Sequence, residues 1–171
     1  MDTGQEISLN DSPPKVSNTE MFITEKDKEI FILIKHEKSS EAVAQQLTKI
    51  ESQLFYSVQP SEFYNNAWQD NKEKAPSICS IISRFDRIVK WVATLIFTAE
   101  ENDLPKYKVI SYFIDVMFHL YQFHNFDGVM SIMAALHRDD VQKLETDWEV
   151  NNFYFYYSYF LFYFNLFIIY F

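Results

Sequence analysis

Beyond Gly4, the 171-residue chain contains one glycine, Gly128. Tight turns draw on glycine for left-handed backbone, and a sheet with many such turns needs several. Phosphate-cradling loops need glycines in close succession. Neither pattern is present, so helix is the default and the fold class is all-α, an irregular helical domain. A glycine costs about 1 kcal/mol in a helix interior relative to alanine and little at a turn. Gly128 stands beside Asn125 and Asp127, two good N-cap residues, and is expected to mark a corner between helices.

That corner divides residues 108–144, the stretch onto which the other pieces are expected to pack. Ahead of it Val109, Ile110, Phe113, Ile114, Met117, Leu120 and Tyr121 recur at three- and four-residue steps, which puts them on one helix face. Behind it Val129, Ile132, Met133 and Leu136 repeat the spacing. Upstream, residues 29–35 are an apolar run whose periodicity leaves strand and buried helix open. Val43, Leu47, Ile50, Leu54 and Val58 form a helical stripe, with Ser39 and Ser40 offering an N-cap. Pro60 opens a short helix through Trp68, residues 69–75 read as a charged loop, and Pro76 opens the next helix. There Ile78, Ile81, Ile82, Phe85, Ile88, Val89, Val92, Leu95 and Ile96 make an inward face so wide that this helix is expected to be central. Asp103 with Pro105 is the expected start of the helix that follows.

The two ends are of another kind. Residues 1–28 are polar and carry Pro13 and Pro14, and they read as a disordered lead to a domain over residues 29–150. Residues 153–171 hold 13 Phe or Tyr in 19 positions and no charge. As a helix they would span roughly 28 Å, close to a bilayer core. Residues 151–171 are therefore read as an aromatic hydrophobic tail, either a membrane anchor or a gene-model artefact. Tyrosine spread through its middle rather than at its edges weighs against the anchor.

The net charge is −9 and no cluster of Lys or Arg stands out, which excludes nucleic acid as a partner. Cys79 is the only cysteine, so no intramolecular disulfide forms, and a polar N-terminus without an apolar signal core points to the cytoplasm. Asp115 and His119 stand at i and i+4 with His124 nearby, but without a metal-binding motif they read as the polar face of a helix. Cys79 reads as a small packed side chain, and Asp139 with Asp140 as solvated surface. No catalytic residue, cofactor or metal is expected.

Three segments, in order, resemble the catalytic domain of Ras-family guanine-nucleotide exchange factors. Gln46-Leu47-Thr48 with Ile50-Glu51, Leu54-Phe55 and Gln59-Pro60-Ser61-Glu62-Phe63 is similar to the family's opening pattern. Pro76-Ser77-Ile78, Arg84-Phe85-Asp86 and Trp91-Val92-Ala93-Thr94 resemble its next helix. Asn125-Phe126-Asp127-Gly128, Ala135-Leu136, Val141, Lys143-Leu144 and Trp148 are similar to a third block. The resemblance covers about residues 40–149 and departs from the family at Asp127 and His137, where asparagine is usual.

The resemblance implies a helical domain that binds a Ras-like small GTPase and speeds GDP release without covalent catalysis. It implies a GTPase-facing set of Ser83, Phe85 and Asp86 on one helix. The rest of that set is Met130, Ala134 and His137 on another, with Gln142 beyond. Phe85 and Met130 fit the apolar stripes equally well, so core packing is the competing reading for both. The likeness ends after Trp148-Glu149, and the chain is read as the N-terminal part of a truncated domain. The second half, with the hairpin that opens the nucleotide site in the family, is expected to be missing, so exchange would be impaired. The alternatives are a non-catalytic GTPase-binding module and a tail-anchored helical membrane protein. Membrane contact would come through residues 153–171 or through a lipidated GTPase.

Overall fold

The computed structural model describes residues 25–36, 40–70 and 72–150, among which eight α-helices follow one another without a strand. They are α1 (Glu25–Lys35), α2 (Ser40–Ser57), α3 (Ala67–Asp70), α4 (Pro76–Phe97), α5 (Lys106–Gln122), α6 (Phe126–Leu136), α7 (Asp139–Gln142) and α8 (Glu145–Glu149). Short 3₁₀ segments at Pro60–Asn66, Lys72–Lys74 and Glu100–Asn102 join them. The open reading of residues 29–35 resolves as helix: Ile30, Phe31 and Ile34 are buried at helical spacing, while Ile32 and Leu33 face out. That helix begins at Glu25, inside the segment read as a lead. Within the stretch read as a charged loop, Gln69 and Asp70 end α3 and Lys72–Lys74 form a 3₁₀ turn. The aromatic tail reading falls outside the described residues. Among those residues, no helix is long and apolar enough to cross a membrane.

The centre is shared: α4 packs on α2, α3, α5 and α6, while α5 packs on α1, α2, α4, α6 and α8 and buries Val109, Ile110, Tyr112, Phe113, Val116, Met117 and Leu120. Tyr112 and Val116 lie off the expected stripe, because a helix covered on several sides buries more than one face. In α4 the buried residues are Ile88, Val92, Ala93, Leu95 and Ile96, all in its C-terminal half, and Ile82 is 47% exposed. In α2 the buried stripe is Ala44, Leu47 and Glu51, so Ile50 turns outward.

Two corners depart from expectation for the same reason, that a helix start and a left-handed residue need not coincide. Asp103 is left-handed (φ 56°), closing the 3₁₀ turn, and Pro105 is the N-cap of α5. At the second corner the left-handed residue is His124 (φ 57°), not Gly128. Gly128 lies in the first turn of α6 with no positive φ. Its need for glycine is spatial: a Cβ there would stand 3.0 Å from Asn125 Nδ2, 3.0 Å from Glu51 Oε2 and 3.1 Å from Leu120 Cδ2.

Candidate functional site

The helices that carry the expected GTPase-facing residues, α4 and α6, pack directly on each other. The start of α4 is fixed by a side chain from the 3₁₀ segment Pro60–Asn66. Glu62 Oε2 accepts the backbone N–H groups of Ser77 (2.8 Å) and Ile78 (3.1 Å), and Oε1 accepts that of Gln59 (3.2 Å). These are N–H groups that a helix N-terminus leaves without an internal partner, and a carboxylate there also meets the positive end of the helix dipole. Ser77 Oγ donates to the Ser57 carbonyl at 3.1 Å, which ties the same point to the end of α2. Burial pushes the Glu62 carboxyl upward, but the donors from Ile78, Gln59 and Ser77 outweigh it and hold the group below its ordinary range.

The start of α6 is fixed by Asn125, whose Oδ1 accepts the Gly128 N–H at 3.0 Å. Its Nδ2 donates to Glu51 Oε2 and, at 3.1 Å, to Thr48 Oγ1, crossing to α2. Gly128 leaves room for this cross-link, because a Cβ would stand 3.0 Å from an atom of each member, a contact tight enough that both would have to shift. At the other end Gln142 Nε2 donates to the Leu136 carbonyl at 2.7 Å, and Arg138 forks onto Asp140 at 3.0 and 2.7 Å. Asp140 Oδ1 also accepts the Val141 N–H at 3.0 Å. Hydrogen bonds from Arg138 hold the Asp140 carboxyl below its usual range. The Asp139–Asp140 pair is thus not merely solvated surface, since Asp140 organises the turn out of α6.

Between these fixed ends Met130, Ala134 and His137 sit at i, i+4 and i+7, the face of α6 opposite buried Val129, Ile132 and Leu136. Met130 is 38% exposed and Ala134 half-buried. His137 is exposed at the C-cap, with its Nδ1–H donating to the Met133 carbonyl at 3.0 Å. On α4, Ser83 and Asp86 are exposed and Phe85 is half-buried. The set therefore lies on two packed helices, with Gln142 apart from it, since its side-chain amide is engaged on α6. Of Asp115, His119 and His124, His119 donates through Nδ1–H to Gln122 Oε1 at 3.2 Å, and among the described residues no group of three or more His, Cys, Asp or Glu is placed to hold a metal ion. Cys79 Sγ lies 3.9 Å from the Trp68 carbonyl.

Comparison with known proteins decides the family. A family model described as the RasGEF domain matches residues 42–153. The chain belongs to the RasGEF domain family. It is 35% identical over 109 residues to Ras guanine nucleotide exchange factor Q of Dictyostelium discoideum, covering 63% of this chain and 8% of that protein. It is 32% identical over 126 residues to Ras guanine nucleotide exchange factor M of the same organism, covering 72% and 14%. With human Rap guanine nucleotide exchange factor 1 it shares 29% identity over 110 residues, or 64% and 10%. The chain thus spans roughly a tenth of the length of these relatives. Asn125 is legible in the sequence as an N-cap beside the corner, whereas Glu62 stands there only as part of a family pattern, because the helix start it caps lies 15 residues away.

Proposed function

We propose that this RasGEF domain docks on a Ras-like small GTPase through α4 and α6 and promotes release of its GDP. Ser83, Phe85 and Asp86 would meet the GTPase from α4, and Met130, Ala134 and His137 from α6. Gln142 would act by holding the C-terminus of α6. Catalysis of this kind needs no nucleophile. A protein that binds the nucleotide-free GTPase more tightly than the GDP-bound form must, by linkage, weaken GDP by the same factor.

The observation that carries this reading is the Met130–Ala134–His137 face, exposed at Met130 and His137, on a helix whose first turn is held by its N-cap Asn125, itself tied to α2, and whose end is held by Gln142 of α7. A face held this rigidly loses little conformational entropy on docking. The test is release of a fluorescent GDP from a Ras-like GTPase in the presence of the 171-residue chain. Faster release that declines in His137→Glu supports the proposal, and release unchanged at saturating chain refutes it as an exchange activity. Binding without faster release would leave the chain a docking role only.

A further inference from the structure

Arg84 stands between Ser83 and Phe85 on α4, yet its side chain is only 17% exposed. It lies one turn before Ile88 and so continues the stripe that Ile88, Val92 and Leu95 carry into the core. A guanidinium on a buried stripe needs a counter-charge, and two carboxylates supply it. Glu51 Oε1 of α2 stands 3.5 Å from Arg84 Nε, and neither atom has a hydrogen-bond partner among the described residues. The second carboxylate is Asp127, in the first turn of α6. Burial pushes the Asp127 carboxyl up, and the charge of Arg84 partly counters it.

Glu51 carries the influence of Arg84 on to α6. Its other oxygen, Oε2, accepts from Asn125 Nδ2, while Asn125 Oδ1 accepts the Gly128 N–H at 3.0 Å and so caps α6. A hydrogen bond to an ionised carboxylate is about twice as strong as a neutral one. Burial already raises the Glu51 carboxyl; Asn125 and then Arg84 draw it down, and Asp127 adds to the rise. Without Arg84 that carboxyl would rise further, two carboxylates would stand near each other without a cation, and the Asn125 cap would slacken. The Ser83–Asp86 and Met130–His137 residues ride on α4 and α6, so their relative placement depends on this chain of contacts.

We infer that Arg84 is a positioning residue: without touching the GTPase, it holds the start of α6 against α4 through Glu51 and Asn125 and keeps the two docking faces in register. This inference deepens the docking reading and rests on it. Three variants test it, at a temperature where circular dichroism shows each one folded: Arg84→Gln, Arg84→Lys, and Arg84→Gln combined with Glu51→Gln. Two quantities are read: affinity for a nucleotide-free Ras-like GTPase, and native-state hydrogen exchange of the Gly128 and Val116 amides. Arg84→Gln is expected to bind about tenfold weaker than wild type. Arg84→Lys keeps the charge and should keep most of the affinity. Adding Glu51→Gln to Arg84→Gln should recover most of the loss, because an amide oxygen there still accepts from Asn125 and no longer opposes Asp127.

In Arg84→Gln the Gly128 amide, at the cap, should exchange about tenfold faster, and that of Val116, in the middle of α5, much less so. A merely structural loss would speed both alike. The inference is overturned if Arg84→Gln binds like wild type, if Arg84→Lys binds as weakly as Arg84→Gln, or if the two amides change alike. It is also overturned if the added Glu51→Gln recovers nothing, since Arg84 would then be a direct contact. A wild-type chain that binds no GTPase defeats the docking reading instead, and the comparison of Gly128 with Val116 then decides the hold of Arg84 on α6 alone.

Discussion

Replacing Gly128 with alanine tests why the glycine is there. A glycine needed for its backbone would be strained by substitution wherever φ is positive, but Gly128 has no positive φ. In a helix first turn, alanine should then gain up to about 1 kcal/mol from propensity. Against that, the new Cβ would meet Asn125 Nδ2 and Glu51 Oε2 at 3.0 Å and Leu120 Cδ2 at 3.1 Å. Two of those neighbours are hydrogen-bonded to each other, so neither moves without loosening the other. Overpacking costs about 1–3 kcal/mol, and a weakened hydrogen bond to a charged group up to about 1.5–3 kcal/mol. The crowding outweighs the propensity gain, and Gly128→Ala is expected to destabilise by about 1–3 kcal/mol. At about 2–4 °C per kcal/mol for a chain of this size, thermal unfolding followed by circular dichroism should fall by roughly 3–10 °C. In an Asn125→Ala background, where one clashing atom is gone, the further cost should be smaller. An unchanged or raised Tm for Gly128→Ala would refute the spatial argument.

Two further outcomes follow from the caps and the core. Glu62 has a carboxyl held below its ordinary 4.5, so its contribution is complete above that value and is lost as pH falls through the lowered one. Glu62→Gln should therefore be less stable at neutral pH and lose less on acidification, and parallel stability–pH curves for the two proteins would contradict this. Trp148 is fully buried, and its Nε1–H donates to the Val141 carbonyl at 3.0 Å. Trp148→Ala should cost about 3–5 kcal/mol in chemical denaturation, whereas Trp148→Phe, which keeps a ring in place, should cost about half as much.

The fold class was legible because glycine scarcity and three- and four-residue apolar steps act locally. Val109, Ile110, Phe113, Met117 and Leu120 are all buried where that spacing placed them. Which part of α4 is covered was not legible, because the width of an apolar stripe does not say what packs on it. The Ile78–Ile82 end of α4 looks like core in sequence yet lines an open groove. Buried carboxylates were missed for a related reason. Glu51 shares a face with Ala44 and Leu47 at i−7 and i−4, but its partner Asn125 lies 74 residues away, and periodicity carries no information about such pairings. The candidate surface came from likeness to a family, and the structure supplies what likeness lacks, namely the caps that hold α4 and α6.

The central claim is that the α6 face, with α4 beside it, recognises the nucleotide-free form of a Ras-like GTPase. Its most direct test is the affinity of the 171-residue chain for one such GTPase, measured nucleotide-free and GDP-loaded, for wild type and His137→Glu. His137 is exposed, and its Nδ1–H donates to the Met133 carbonyl, so the variant should still fold, with a stability loss of about 1 kcal/mol. The account expects tighter binding to the nucleotide-free form and a loss of about tenfold or more in His137→Glu. Equal affinity for the two forms, or a His137→Glu variant that binds like wild type, would contradict it.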